Sequence, residues 1–295
     1  MVTLGWAGGT GLGAVEDVRR EARWAAAAGF DGFWVSQIFG VDPIVALAAL
    51  GDGVPGLSEL GTSVVPLYGR HPLALGAQAL TAQSALGGRF TLGVGPSHAV
   101  FVEGVLGESY DRPYARTEEY LAALVPLLEG GGPLAVDAPP CPLLLAALGP
   151  RMLALAGRVA AGTTVGQCGP RTIAGHVVPR LTAAAEAAGR PEPRVMALVT
   201  VCVTDDPGAA RDEARRHGEL YARLPAYRAV LDREGVDGPA DLLVAGSPDD
   251  VAAGLAAYVA AGATDLRVAA AGATPDDGAR TREGLAALAS ARDWL

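Results

Sequence analysis

The 295-residue chain is half hydrophobic and carries a formal charge of −9 at neutral pH. Its length suits an eight-fold α/β barrel folded as one unit, and its acidity excludes a nucleic-acid partner, which needs a basic face. All 23 basic residues are arginine, so a Schiff-base lysine, pyridoxal phosphate chemistry and a lysine-dependent P-loop are excluded too.

Short apolar runs then alternate with helical patterns. Residues 2–6 read as a first strand. Val15, Val18, Ala22 and Ala25 recur at helical spacing, and Gly29 closes that helix. Residues 32–36 are a second strand, and a short helix starts near Pro43. Residues 60–66 are a third strand leading to His71-Pro72, a cap followed by proline at the first helical position. Leu73, Ala77 and Leu80 supply the buried stripe of that helix. Residues 89–95 are a fourth strand, followed by an irregular stretch over 96–113. The helix over 116–128 turns Tyr120, Leu121, Leu124 and Leu128 inward. Residues 143–148, 163–167 and 195–203 give three more strands, with Gly149-Pro150 and Pro170 opening helices. A polar helical stretch follows around 207–233, then a strand over 242–245. Ser247-Pro248-Asp249-Asp250 is a helix N-terminus with cap, proline and acids against the dipole. Residues 265–270 complete the strand count.

Strand–helix alternation repeated about eight times implies a parallel sheet covered by helices. Closure into a single (β/α)8 TIM barrel over residues 1–295 is expected, with an open doubly wound sheet as the alternative of equal periodicity. The start, MVTLGWAGG, lacks a basic n-region and a long apolar segment, and no apolar run reaches 18 residues. No signal peptide or membrane span is therefore expected, and the expected location is cytoplasmic. Cys141, Cys168 and Cys202 are odd in number and unpaired in spacing, which fits reduced thiols and no metal site.

Several motifs carry chemistry. Gly9-Thr10-Gly11-Leu12-Gly13-Ala14 loosely matches a dinucleotide fingerprint. The second strand, however, ends Trp34-Val35-Ser36-Gln37 without the expected acid, which favours a plain Gly-rich turn. Gly93-Val94-Gly95-Pro96-Ser97-His98 lies at the C-terminal end of the fourth strand, where barrel enzymes place their chemistry. His98 is one of four histidines and is read as catalytic or structural with equal weight. His71 is read as a cap, and His176 and His217 as solvent-facing. In Ala146-Ala147-Leu148-Gly149-Pro150-Arg151 a strand runs into a helix start whose N–H groups could hold a phosphate beside Arg151; an ordinary strand-to-helix turn is the alternative. Glu103, Glu108, Tyr110, Asp111 and Arg112 crowd the long loop, which is either functional or a solvated surface.

The segments Phe30-Asp31-Gly32-Phe33-Trp34-Val35-Ser36-Gln37-Ile38-Phe39, Gly61-Thr62-Ser63-Val64-Val65-Pro66, Arg70-His71-Pro72 and Gly88-Arg89-Phe90-Thr91-Leu92-Gly93-Val94-Gly95 resemble the luciferase-like monooxygenase superfamily. Tyr110-Asp111-Arg112-Pro113 and Leu148-Gly149-Pro150-Arg151-Met152-Leu153 extend the likeness over nearly the whole chain. Within the superfamily the chain is most similar to the F420-dependent oxidoreductases. The resemblance implies a luciferase-like barrel, a homodimer and the deazaflavin coenzyme F420. It also implies a non-prolyl cis peptide around Ser63-Val64 against the ring, with Ser36 and Gln37 facing it. Gly95, Ser97 and His98 would lie beside the cofactor, and Ala147, Gly149 and Pro150, with Arg151 as charge partner, would contact its phosphate-bearing side chain. His98, Gln37 and Glu103 are the candidate catalytic residues. Two departures weigh against sugar-phosphate oxidation. Gln37-Ile38 replaces an Asp-His pair of the glucose-6-phosphate-oxidising members, and His98 replaces their active-site Glu. The expected activity is reduction of a C=C or C=N bond of a small molecule by reduced F420. An FMN-dependent monooxygenase is the main alternative, and a ligand-binding barrel without catalysis a third.

Overall fold

The computed structural model of the chain describes residues 2–9, 11–37, 39–292 and 294, with Leu220 described in its backbone only. Thr10 of the Gly-rich turn and Ile38 of the Gln37-Ile38 pair lie outside the described residues. Ten strands form one parallel sheet: β1 (Thr3–Ala7), β2 (Gly32–Val35), β3 (Glu59–Thr62), β4 (Val65–Pro66), β5 (Phe90–Gly95), β6 (Leu143–Ala146), β7 (Gly162–Val165), β8 (Arg194–Val203), β9 (Val244–Gly246) and β10 (Asp265–Ala270). The circuit β10-β1-β2-β3-β5-β6-β7-β8 closes because β10 also pairs with β8, from Asp265 opposite Met196 to Ala270 opposite Val201. Eight staves with helices outside make a closed (β/α)8 barrel.

Two strand expectations change. The run over 60–66 is split, because β3 stops at Thr62 and β4 resumes at Val65 across a cis Ser63-Val64 peptide. The run near 242–245 is not a stave. β9 pairs only with the overhanging end of β8, at Val201–Val203. Among the helices, Ser247 and Asp250 form the reciprocal cap: the Ser247 hydroxyl accepts from the Asp250 amide at 3.2 Å, and the Asp250 carboxylate accepts from the Ser247 amide at 2.9 Å. His71 caps the helix Pro72–Ala85, its Nδ1 accepting from Leu73 N at 3.2 Å. The buried side of that helix is Leu75, Ala79, Leu80 and Ala82, while Leu73 is 40% exposed. The stripe is thus rotated from the expected one, since an alanine-rich helix reads as apolar all round. The loop over 96–113 contains a short helix, Ala99–Gly104. Among the described residues no helix is long and apolar enough to cross a membrane.

Side chains alternate across each strand, so every second residue points into the barrel. At the N-terminal end Arg194 makes a two-pronged bond to Glu59, at 2.7 and 2.8 Å, and also bonds Asp265 at 2.6 Å. Thr3, Thr91 and Thr264 donate to the same carboxylates at 2.5 Å. Two residues higher, Trp34 packs with Leu144 and Met196. A Cβ on Gly61 would lie 2.2 Å from the indole, and one on Gly5 2.7 Å away. Glycine on both neighbouring strands is what admits the ring.

The floor has a measurable weight. Arg194→Met leaves Glu59 and Asp265 without their counter-charge, and urea unfolding should show a loss of about 3 kcal/mol. Burial opposes the charge on Asp265, but its hydrogen bonds and the Arg194 cation outweigh that and hold the carboxyl below its ordinary value. Its stabilising contribution is therefore present above about pH 4 and lost as pH falls through the depressed value. The gap between wild type and variant should narrow on acidification; a gap independent of pH contradicts this.

Candidate active site

The C-terminal end of the barrel is built around the Ser63-Val64 peptide. Three bonds fasten it to the end of β2. Ser63 N donates to Val35 O at 2.9 Å, Gln37 N donates to Val64 O at 3.1 Å, and the Ser36 hydroxyl donates to Ser63 O at 2.5 Å. Across the barrel the Ser63 hydroxyl meets Thr164 Oγ1 at 3.1 Å. Arg267 reaches over from β10 and donates through Nη1 to Ser63 O at 2.6 Å. Val64 packs on β5: a Cβ added to Gly95 would lie 3.2 Å from Val64 Cγ2 and 3.0 Å from Ala146 Cβ. Ser36, Ser63, Val64 and Gly95 are therefore one connected surface.

Ser97 takes φ +60, a left-handed conformation. The Tyr110 hydroxyl donates to its carbonyl at 2.9 Å and holds the turn. His98 then starts the helix Ala99–Gly104, but its side chain caps nothing. Its ring packs 5.3 Å from Tyr227, which in turn packs 5.5 Å from Tyr221. Both tyrosines come from the segment over 207–234. Burial holds the His98 imidazole below its ordinary value and pushes the Tyr227 phenol up to about 12.

The other expected residues divide. Gln37 is partly buried, and its amide oxygen accepts from Arg70, which also pairs with Asp42 at 2.9 Å. Glu103 is exposed and has no hydrogen-bond or ion-pair partner among the described residues. Glu108 serves the loop instead, accepting from Gly69 N at 2.9 Å and from Arg116. Ala147 is buried. Gly149 precedes the helix Pro150–Val159 at an ordinary φ of −78, with no capping side chain and nothing within 4 Å of a Cβ placed there. Arg151 is exposed and stacks over Tyr114 at 4.0 Å. The parallel helix start at Pro170 is closed: Glu234 accepts from Arg171 N at 3.1 Å and Thr172 N at 2.7 Å.

Four contributors were not anticipated: Arg267, Tyr227, Thr164 and His176. A charged residue inside the apolar run Leu266-Arg267-Val268 was the available signal for the first. The solvent-facing reading of His176 is overturned. It is 5% exposed, within the π-helical turn Ile173–Val177, and its Nε2–H donates to Leu148 O at 2.8 Å. Beside the mouth, a cavity of about 440 Å³ is lined by Gln167, Thr200, Ala271, Glu213, His217 and Tyr221. That is room for a small molecule.

A closed parallel barrel whose polar, open end lies at the strand C-termini is the arrangement of (β/α)8 enzymes. Residues 2–265 match the luciferase-like monooxygenase family, and the chain belongs to it. It is similar to a Mycobacterium tuberculosis protein named as a coenzyme F420-dependent oxidoreductase, with 29% identity over 82% of this chain and 87% of that one. It is also similar to the 5,10-methylenetetrahydromethanopterin reductase of Methanolobus tindarius, with 28% identity over 77% of this chain and 73% of that one. Among solved structures, an F420-dependent secondary alcohol dehydrogenase in complex with an F420-acetone adduct superposes with a TM-score of 0.79 at 18% identity, covering 98% and 97% of the two chains.

The packing of His98 on Tyr227 makes a direct prediction. In a proton NMR titration its ring signals should move below the ordinary imidazole value of about 6.5. A midpoint at or above that value would mean the ring is solvated.

Proposed function

We infer that the protein is an F420-dependent oxidoreductase that reduces a C=C or C=N bond of a small molecule, with residues 1–295 acting as one domain in a cytoplasmic homodimer. One observation carries the reading. The ends of β5 and β6 carry almost no side chain at Gly95 and Ala146, where Val64 packs against them, beside the uncapped helix start at Gly149. A flat ring can lie against such backbone, and the first-turn amides of Arg151 and Met152 suit a phosphate. The relatives' F420 chemistry supports the choice of cofactor, and the family name keeps FMN as the rival.

The residues present fit this cofactor. Ser36, Ser63 and Val64 would back its ring, and Gly95 and Ser97 would flank it. Ala147, Gly149 and Pro150 would receive the phosphate-bearing side chain, with Arg151 adding positive charge at the same helix start. When bound, F420 supplies a two-electron hydride carrier that reacts poorly with oxygen. The chain supplies position and protons. Gln37, held through its oxygen by Arg70, keeps its NH2 free as a donor to substrate. His98 holds the proton that the reduced substrate atom takes up. No carboxylate hydrogen-bonds to or ion-pairs with His98 or Ser63 among the described residues, which favours reduction over a proton-abstracting oxidation. Glu103 has no contact that ties it to these groups and takes no part. The cavity bordered by Thr200 and Tyr221 would take the substrate.

Side-by-side titration with oxidised F420 and FMN is the primary test. F420 should bind at least about tenfold more tightly, a difference of about 1.4 kcal/mol. Equal or reversed affinities would sink the reading in favour of the monooxygenase, and tight F420 binding with no turnover on any acceptor would favour a ligand-binding barrel.

His98→Ala should lower kcat by about 100-fold or more while changing cofactor affinity less than about tenfold. Because burial lowers the His98 pKa, the charged, proton-donating form populates only as pH falls below about 6.5. Wild-type kcat should therefore rise on that acid limb, and the variant should lack the limb. Turnover within a few-fold of wild type with the limb intact would make His98 a pocket wall.

A further inference from the structure

Arg267 is a charged group at this end of the barrel whose chemistry the proposed reaction leaves unused. It projects inward from the middle of β10 and is 6% exposed. Its guanidinium carries five N–H donors, and among the described residues it makes one hydrogen bond, from Nη1 to the Ser63 carbonyl. Its Nε–H is buried without an acceptor. Arg267 has no carboxylate partner among the described ion pairs, and the ionisable group acting on it is the Tyr227 phenol. Burial brings the guanidinium down to about 10, so it stays charged at neutral pH.

The contrast within the same barrel is informative. Arg194, facing inward from β8 at the floor, satisfies its fork on two carboxylates. A buried cation is costly unless an anion meets it, and here it stands two residues above Asp265 on β10, facing the Ser63 carbonyl across the barrel with no ion-pair partner among the described residues. A planar fork with unused donors matches the two oxygens of a carboxylate.

We propose that Arg267 binds a carboxylate of the substrate, so that the reducible bond belongs to a small unsaturated or imino acid. This rests on the reading of the mouth as the reaction site. Tyr227, within electrostatic reach of Arg267 and packed on His98, then joins the anion end of the substrate to the proton donor.

The test uses sodium crotonate and its neutral analogue crotonamide, titrated calorimetrically into F420-loaded protein and, separately, into cofactor-free protein. Wild type should bind crotonate at least about tenfold more tightly than crotonamide. Arg267→Met and Arg267→Gln should lose that preference to within about twofold, and Arg267→Lys should recover part of it. Arg267→Lys, whose ammonium can still donate to the Ser63 carbonyl, should hold F420 affinity within about threefold. The melting temperature of Arg267→Met should match or exceed that of wild type, since an unpaired buried charge is removed. Equal binding of the two probes by wild type, or a preference kept in the Met and Gln variants, overturns the proposal. So does inorganic phosphate binding tenfold more tightly than crotonate. A fall in F420 affinity above tenfold in Arg267→Met, without any carboxylate preference in wild type, would assign the cation to the cofactor instead. If wild type fails to bind F420, the cofactor reading falls, while the titrations on cofactor-free protein still decide the role of Arg267.

Discussion

One indole sets the internal plan of the barrel. Trp34 lies across the interior, and the neighbouring strands accept it only because Gly5 and Gly61 stand beside it. With the middle filled by Trp34, Leu144 and Met196, inward side chains below and above it are left to polar roles. Below lies the Arg194–Glu59–Asp265 network, closed and fully paired. Above lies the Ser63 carbonyl with its donors Ser36 and Arg267. The two ends of one apolar plug thus carry the two kinds of polar chemistry a barrel separates, stability at the bottom and reaction at the top.

The upper level is held from three directions. The end of β2 ties the Ser63-Val64 peptide through Val35, Ser36 and Gln37; β7 reaches it through Thr164; β10 reaches it through Arg267. Such bracing fixes a ledge of backbone rather than of side chains. Whatever lies on that ledge meets a surface with little conformational freedom, which is what positioning a reacting atom requires. His98 and the two tyrosines are hung around the rim from helices that follow the strands.

Much of this was legible in the sequence, for physical reasons. Periodicity finds strands because a stave buried on both faces must be apolar, and caps such as His71-Pro72 and Ser247-Pro248 are local hydrogen-bond chemistry. The cis peptide at Ser63-Val64 followed from the resemblance and is present. What escaped depends on distant partners. Arg267 sits in a strand of otherwise ordinary pattern, and nothing local says that its fork stays unpaired. His176 is a polar residue on a helix, and only the Leu148 carbonyl opposite it, distant in sequence, shows that it is buried. Tyr227 lies in a polar amphipathic helix, and its place over the mouth is set by the fold of 207–234. β9 has the composition of a stave, and only the length of β8 reveals that it pairs beyond the barrel. Arg151 has the right charge near the right helix, but the ring of Tyr114 holds it.

The carboxylate of Glu234 fills the helix start at Pro170, where a Cβ on Gly169 would collide with it at 2.4 Å. Glu234 ends the helix Pro225–Glu234 that carries Tyr227. The segment crossing the mouth is therefore moored to the sixth stave by a charge–dipole contact, independently of the sequence that leads into it. Insertions or deletions between 207 and 223 can reshape the cavity while the mooring keeps Tyr227 in register with His98. For a fold that changes substrate by varying its loops, that separates what may vary from what must stay.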